Sequence, residues 1–265
     1  MARARGAGPA RAEGGGGVIE RLAVIPARLG GQRLPGKPLL ELAGAPLVWH
    51  VARRVVAAGV ADCVVVATDD ARIAAAVAGS GAETVVDSAP FACGTDRVAA
   101  VARRRAARWV LNVQGDEALV ARVHLEGALA AAGWGELGTV ATPCVPRGWL
   151  DDPHAVKVAL AEDGSALDFG RQAPPVAGGR LLLHLGVYAF AAPALQRFAA
   201  LAPSERERAE RLEQLRALEA GWTIAVTAVD VPAGAINTSA DLPAVERALR
   251  GDETSHQPPS SGTGR

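Results

Sequence analysis

Short, apolar, β-branched runs separated by helix-length segments constrain this chain more than any other feature. Leu22–Ile25 and Cys63–Ala67 are uniformly apolar, the mark of strands buried on both faces. Between them, Pro46–Ala58 places Leu47, Val48, Val51, Val55 and Val56 on one helical stripe. A third run, Trp109–Val113, follows a helix for which Thr95 is a suitable N-cap. This alternation predicts a Rossmann-like, doubly wound, mainly parallel α/β sheet. Ligands of such sheets lie beyond the carboxyl ends of the strands. The loop after Ile25, Thr68-Asp69 and Gln114-Gly115-Asp116 all fall at such ends.

The second half reads as an elaboration of the same sheet. Val156–Leu160 and Ala166–Phe169 flank Glu162–Ser165, the pattern of a β-hairpin. Leu182–Phe190 and Thr223–Val229 are further strands. Ser204-Glu-Arg-Glu207 has capping-box spacing and opens a charged helix expected to run to about Gly221. Ser239–Arg250 is a last helix. Residues 21–250 form one domain, with a flexible extension at 1–20 and a Ser/Pro/Gly-rich, disordered tail at 251–265.

Charge and cysteine usage exclude several classes. The chain has 28 acidic and 28 basic residues, so no global field draws it to nucleic acid or an anionic membrane. Cys63, Cys93 and Cys144 are odd in number and lack CxxC spacing, which argues against a disulfide framework or zinc knuckle and fits a cytoplasmic protein. No apolar run is long enough to span a bilayer.

Among the 28 basic residues only Lys37 and Lys157 are lysines. Where arginine has been written almost everywhere, a retained lysine points to a need for a compact ammonium. Lys37 closes a glycine-rich loop with Arg28 and Arg33, and the natural partner of three clustered cations is a polyphosphate. The loop lacks the Gly-x4-Gly-Lys-Ser/Thr spacing of a Walker motif.

Ile25-Pro-Ala-Arg28 with Arg33-Leu-Pro-Gly-Lys37-Pro38 is similar to the loop of CMP-Kdo synthetases (3-deoxy-manno-octulosonate cytidylyltransferases). The resemblance continues, in the family's order, through Gly94–Arg97, Val113–Glu117, Ala155–Val158, His184–Tyr188 and Leu212–Arg216. It implies a nucleotide-diphospho-sugar transferase fold, a homodimer, and CTP-dependent transfer of CMP to an acidic acceptor with release of pyrophosphate. The default acceptor is Kdo (3-deoxy-manno-octulosonate). It also implies that Arg28, Arg33 and Lys37 hold the triphosphate, with Arg28, Lys37 and Asp116 catalytic. Gly94, Thr95, Arg97 and Gln114 then surround the nucleotide, and Asp116 and Asn237 hold magnesium. Arg171, His184, Tyr188, Glu213 and Gln214 match acceptor positions, arginine and histidine suiting an anionic acid. Without the family, His184 on an apolar strand reads equally well as a satisfied core residue.

Phe91 and Cys93 stand where the family often has His and Ser in the loop around the nucleotide base. Two further departures keep the acceptor open. Asn237 replaces the second metal aspartate. Only eight residues separate Pro175 from His184, and Leu183 stands where the family has a cation. A small phosphonate such as phosphonoformate, activated in antibiotic biosynthesis, is therefore a rival acceptor. A catalytically silent nucleotide-binding homologue is a reading of a different class.

Overall fold

The structure, a computed structural model, describes residues 18–30, 34–145, 148–175, 179–232 and 234–251. Arg33 and most of the expected extension and tail lie outside the described residues. The strands are β1 (Ile19–Ala27), β2 (Glu41–Leu42), β3 (Ala45–Pro46), β4 (Cys63–Thr68), β5 (Glu83–Val86), β6 (Ala107–Val113), β7 (Leu137–Thr142), β8 (Lys157–Leu160), β9 (Ala166–Gly170), β10 (Arg180–Ala191) and β11 (Ile224–Ala228). The helices are α1 (Leu47–Ala58), α2 (Ala71–Ala76), α3 (Gly94–Arg103), α4 (Arg122–Ala132), α5 (Ala192–Ala200), α6 (Glu205–Glu210), α7 (Leu215–Glu219) and α8 (Leu242–Leu249). None of the described helices is long and apolar enough to cross a membrane.

One nine-stranded sheet runs in the order β11-β7-β10-β6-β1-β4-β5, with β8 and β9 attached to β10. β6, β1, β4 and β5 are parallel, so their carboxyl ends share one edge. β10 enters antiparallel between β6 and β7. Its pairing with β6 begins at Val187 opposite Val113, the last residue of β6, while Arg180–Leu183 pair with β8. The first half of β10 therefore overshoots the edge, and the β8–β9 hairpin stands above it as a wall. Ile25, Leu47, Val51, Leu125 and Val245 lie in a core on one face of the sheet, under α1, α4 and α8. Val98, Leu195, Phe198 and Leu215 lie in the core on the other face, under α3, α5 and α7.

The expected sheet, the α1 stripe and the hairpin are all present, and differences cluster at element ends. β1 starts at Ile19, inside the segment read as an extension, because Ile19 N–H donates to Ala106 O at 2.8 Å. Thr95 is not an N-cap: Cys93 occupies that position and α3 starts at Gly94. The helix opened by Ser204 does not run to Gly221. It stops at Arg211, which takes a left-handed φ of 56°, and α7 restarts at Leu215. The last helix starts as a 3-10 turn, Ser239–Asp241, before α8. β7 was not anticipated because Gly138 interrupts its apolar run. That glycine is required by packing: a Cβ there would collide with the backbone of Ala128 and Ala132 in α4.

The break at Arg211 is fixed by a buried ion cluster. Arg216 donates to Glu207 (Nε–Oε2 2.7 Å) and to Asp96 (Nη1–Oδ1 3.2 Å), and its side chain is 1% exposed. This ties α7 to both α6 and the start of α3. Arg216→Ala leaves Glu207 buried without its cation and should cost roughly 3–5 kcal/mol, read as a lower urea midpoint. A loss below about 1 kcal/mol, the range of exposed pairs, would show that the cluster does not hold the break.

Candidate active site

The parallel strands deliver the phosphate-type residues to the shared carboxyl edge. Arg28 follows β1 and is exposed. Asp69 follows β4, and its Oδ1 accepts the Leu29 N–H at 3.4 Å. Gly36 enters the next turn at φ 70°, a left-handed conformation that suits glycine, and Lys37 follows directly. Lys37 Nζ reaches Asp116 Oδ2 at 2.5 Å across 79 residues of chain. The two side chains are 20% and 32% exposed, so this cation–carboxylate pair faces the cleft.

The loop around Gly94 lies beside this pair. Arg97 is buried, donates to Asp87 O at 2.7 Å and lies 3.7 Å from Asp69 Oδ2. Burial lowers its pKa, with Asp69 and Asp87 opposing and Arg28 adding to the depression, so the Arg28 and Arg97 charges lie close enough to act on one another. Phe91 stacks on the Arg97 guanidinium at 4.8 Å, and Cys93 is the N-cap residue of α3, its N–H donating to Asp96 Oδ2 at 3.3 Å.

Thr95, free of capping, joins the nucleotide and acceptor sets. Its N–H and hydroxyl donate to Glu213 at 3.1 and 2.6 Å, and Asn112 Nδ2 donates to its oxygen at 2.7 Å. Gln114 Nε2 also donates to Glu213 Oε1, at 3.1 Å. Glu213, expected at the acceptor, therefore sits against Thr95 and Gln114, expected at the nucleotide. Sequence reasoning did not single out Asn112; its place as a polar residue inside an apolar strand was the available signal.

The acceptor-type residues follow along β10 and the turn before α7. Tyr188 O–H donates to Gln214 Oε1 at 3.2 Å. Gln214 is 2% exposed, and its side-chain nitrogen has no partner among the described residues, which leaves a donor for a ligand. Arg171 lies at the end of β9, its Nε donating to Glu210 O at 2.9 Å and its Nη1 to His154 O at 3.3 Å.

His184 fits the core reading of its strand position rather than that of a charged partner for an anion. Burial pushes its pKa down to about 3, so the ring is neutral and carries no charge for an anion. Thr139 Oγ1 donates to Val187 O at 2.8 Å and lies 3.0 Å from His184 Nε2. The hydroxyl proton is thus committed, which assigns the ring proton to Nε2 and leaves Nδ1 an acceptor suited to a hydroxyl. From its ordinary value of 6.5 down to about 3, the unfolded chain binds a proton here that the folded chain does not. Stability should therefore fall on acidification through this window, by about 2 kcal/mol from this group at pH 5. Urea midpoints measured from pH 7 to 5 should fall less steeply for His184→Asn. Identical slopes would remove the neutral-histidine assignment.

Glu117, the neighbour of Asp116, is buried and accepts the Gly186 N–H at 2.6 Å. Burial and the adjacent Asp116 charge raise its pKa to about 7, opposed by the Gly186 N–H. Gln114 N–H donates to Gly186 O at 2.9 Å, so Gly186 fixes both sides of the Asp116 turn. Ile236 N–H donates to Asp116 O at 3.0 Å, and Glu117 bridges Ala235. The backbone thereby sets Asn237 beside the Asp116 turn. The described residues contain no group of three or more His, Cys, Asp or Glu suited to a metal. One carboxylate and one amide oxygen fit a cation that takes its remaining ligands from phosphate and water.

Comparison with known proteins decides the family. Residues 22–224 match the cytidylyltransferase family. The 3-deoxy-manno-octulosonate cytidylyltransferase of Anaeromyxobacter dehalogenans (strain 2CP-C) is 45% identical over 227 residues, covering 83% of this chain and 93% of that protein. The chain belongs to this cytidylyltransferase family. The enzyme of the same name from Methylococcus capsulatus is 43% identical over 250 residues, covering 86% of this chain and 96% of the relative. The structure of CMP:2-keto-3-deoxy-manno-octonic acid synthetase complexed with CTP superposes with a TM-score of 0.77 at 34% identity, covering 89% of this chain and all (100%) of that one. The inositol-1-phosphate CTP transferase of T. maritima, at TM-score 0.66 and 15% identity over 89% of this chain and 97% of its own, shares the fold.

Proposed function

We propose that this protein transfers CMP from CTP to Kdo, releasing pyrophosphate. The observation that carries the reading is the junction at Glu213, which joins Thr95 and Gln114 to the Gln214–Tyr188–His184 row at the edge occupied by Lys37 and Asp116. A donor and a polyhydroxylated acceptor can meet there. The acceptor's anomeric oxygen attacks the α-phosphorus, forming the phosphodiester bond as the bond from the α-phosphorus to the bridging pyrophosphate oxygen breaks. Arg28 and Lys37 stabilise the charge that develops on the phosphates; such transfers depend on positioning and electrostatics rather than on a protein nucleophile. Gly94, Thr95, Arg97 and Gln114 surround the nucleotide. His184 Nδ1, Gln214 and Glu213 suit hydroxyls, and Arg171 the acid group.

Asp116 and Asn237 are the residues that would hold magnesium, which when bound neutralises triphosphate charge. A homodimer, implied by the resemblance to the family, and a cytoplasmic location, which rests on the cysteine usage, belong to the same reading. A small phosphonate acceptor is the second reading. It draws on Leu183, a buried strand residue where the family has a cation, and on Asn237, which lowers negative charge near the phosphates. The retained Lys37–Asp116 pair disfavours a silent homologue.

Pyrophosphate release, measured with each nucleoside triphosphate against Kdo and phosphonoformate, tests the reading. CTP with Kdo should give the highest kcat/KM. Higher kcat/KM with phosphonoformate would transfer the assignment to the phosphonate. Equal use of ATP would overturn the cytidylyl donor, and no release with either acid would favour the silent homologue.

A further inference from the structure

Lys157, the second of the two lysines, has no part in the reading above, yet it is 0% exposed in β8. Its Nζ donates to Asp152 O and to Arg171 O, each at 2.6 Å. Burial lowers its pKa, while Asp152 and Asp151 act in the opposite direction through their charges. Burying an ammonium against carbonyl oxygens carries a desolvation cost that an apolar residue would avoid. The two bonds join the 151–154 loop to the exit of β9. The Arg171 guanidinium then returns to the same loop, at Pro153 O (3.4 Å) and His154 O (3.3 Å). The Lys157 ammonium on two backbone carbonyls and the Arg171 guanidinium on two more thus close a ring around residues 152–154. A guanidinium at 157 is longer and planar and presents a different hydrogen-bond geometry to these carbonyls.

We infer that Lys157 is a positioning residue for the acceptor: it holds the Asp152 and Arg171 carbonyls so that the Arg171 side chain keeps its place on the acceptor wall. This rests on the assignment of Arg171 to the acceptor in the proposed function. The test is steady-state kinetics with CTP and Kdo for Lys157→Met, Lys157→Arg, Arg171→Ala and the Lys157→Met/Arg171→Ala double variant. Lys157→Met should raise the KM for Kdo roughly 10- to 100-fold, the scale expected of a displaced positioning group. The KM for CTP should stay within about twofold, since Lys157 touches nothing near the Lys37–Asp116 pair. In the Arg171→Ala background the same substitution should add little, because residues that act through one another are not additive. If Lys157→Met does not fold, Lys157→Arg must show the same split between the two KM values. Unchanged KM for Kdo in a folded Lys157 variant, equal rises in both KM values, or fully additive effects would overturn the proposal. Arg171→Ala leaving the KM for Kdo unchanged would instead overturn the acceptor assignment on which it rests.

Discussion

Lys37→Ala is expected to lower kcat by roughly 10²- to 10³-fold, the cost of removing one preorganised group from developing charge, with the fold retained. The two halves of this expectation come from different magnitudes. The Lys37–Asp116 pair is partly exposed, and such pairs contribute at most about 1 kcal/mol to stability. The same ammonium aimed at a transferring phosphate is worth several times more to the transition state. Lys37→Arg should also be strongly impaired, since Lys37 sits in a tight turn behind Gly36 and meets Asp116 as a point donor at 2.5 Å. The checks are single-turnover rates alongside thermal melts. An arginine variant with wild-type turnover would remove the reason for singling out this lysine.

Asp116→Asn should cost kcat by a comparable factor, roughly 10²-fold or more, because it removes the carboxylate that both pairs Lys37 and would hold magnesium. Glu117 cannot substitute, being buried and committed to Gly186 N–H. Chelation of divalent cations should abolish turnover of the native enzyme, and magnesium should restore it. Asn237→Asp returns an acidic pair to the site and should lower the magnesium concentration needed for half-maximal activity, carboxylate being the better ligand for a hard cation. If that variant leaves magnesium dependence unchanged, Asn237 is not at the metal. If it tightens metal binding yet slows turnover, one fewer negative charge is better explained as an accommodation of a more highly charged acceptor.

Much of this was legible in the sequence because burial on both faces forces uniformly apolar strands. Leu22–Ile25, Cys63–Ala67 and Trp109–Val113 announced a parallel sheet, and strand ends located Arg28, Asp69 and Asp116. Elements set by tertiary contacts were less legible. β7 carries a glycine demanded by α4, and the charged run after Ser204 satisfies helix rules locally while the Arg216–Glu207–Asp96 cluster breaks it. Thr95 has an N-cap's residue type, but a distant carboxylate on Glu213 claims its hydroxyl. His184 shows the same limit in protonation: residue type suggested a cation, and burial made it a neutral acceptor. Lys157 was conspicuous by composition and by its place in Ala155–Val158, and only the fold, which brings the Asp152 and Arg171 carbonyls to it, gave it partners.

The most direct measurement is phosphorus NMR of the purified enzyme with CTP, magnesium and Kdo. The account predicts loss of the three CTP resonances, appearance of pyrophosphate, and one new phosphodiester signal whose coupling places CMP on the anomeric oxygen of the sugar acid. Pyrophosphate accompanied by free CMP and no phosphodiester, or CTP left intact with Kdo, would contradict it.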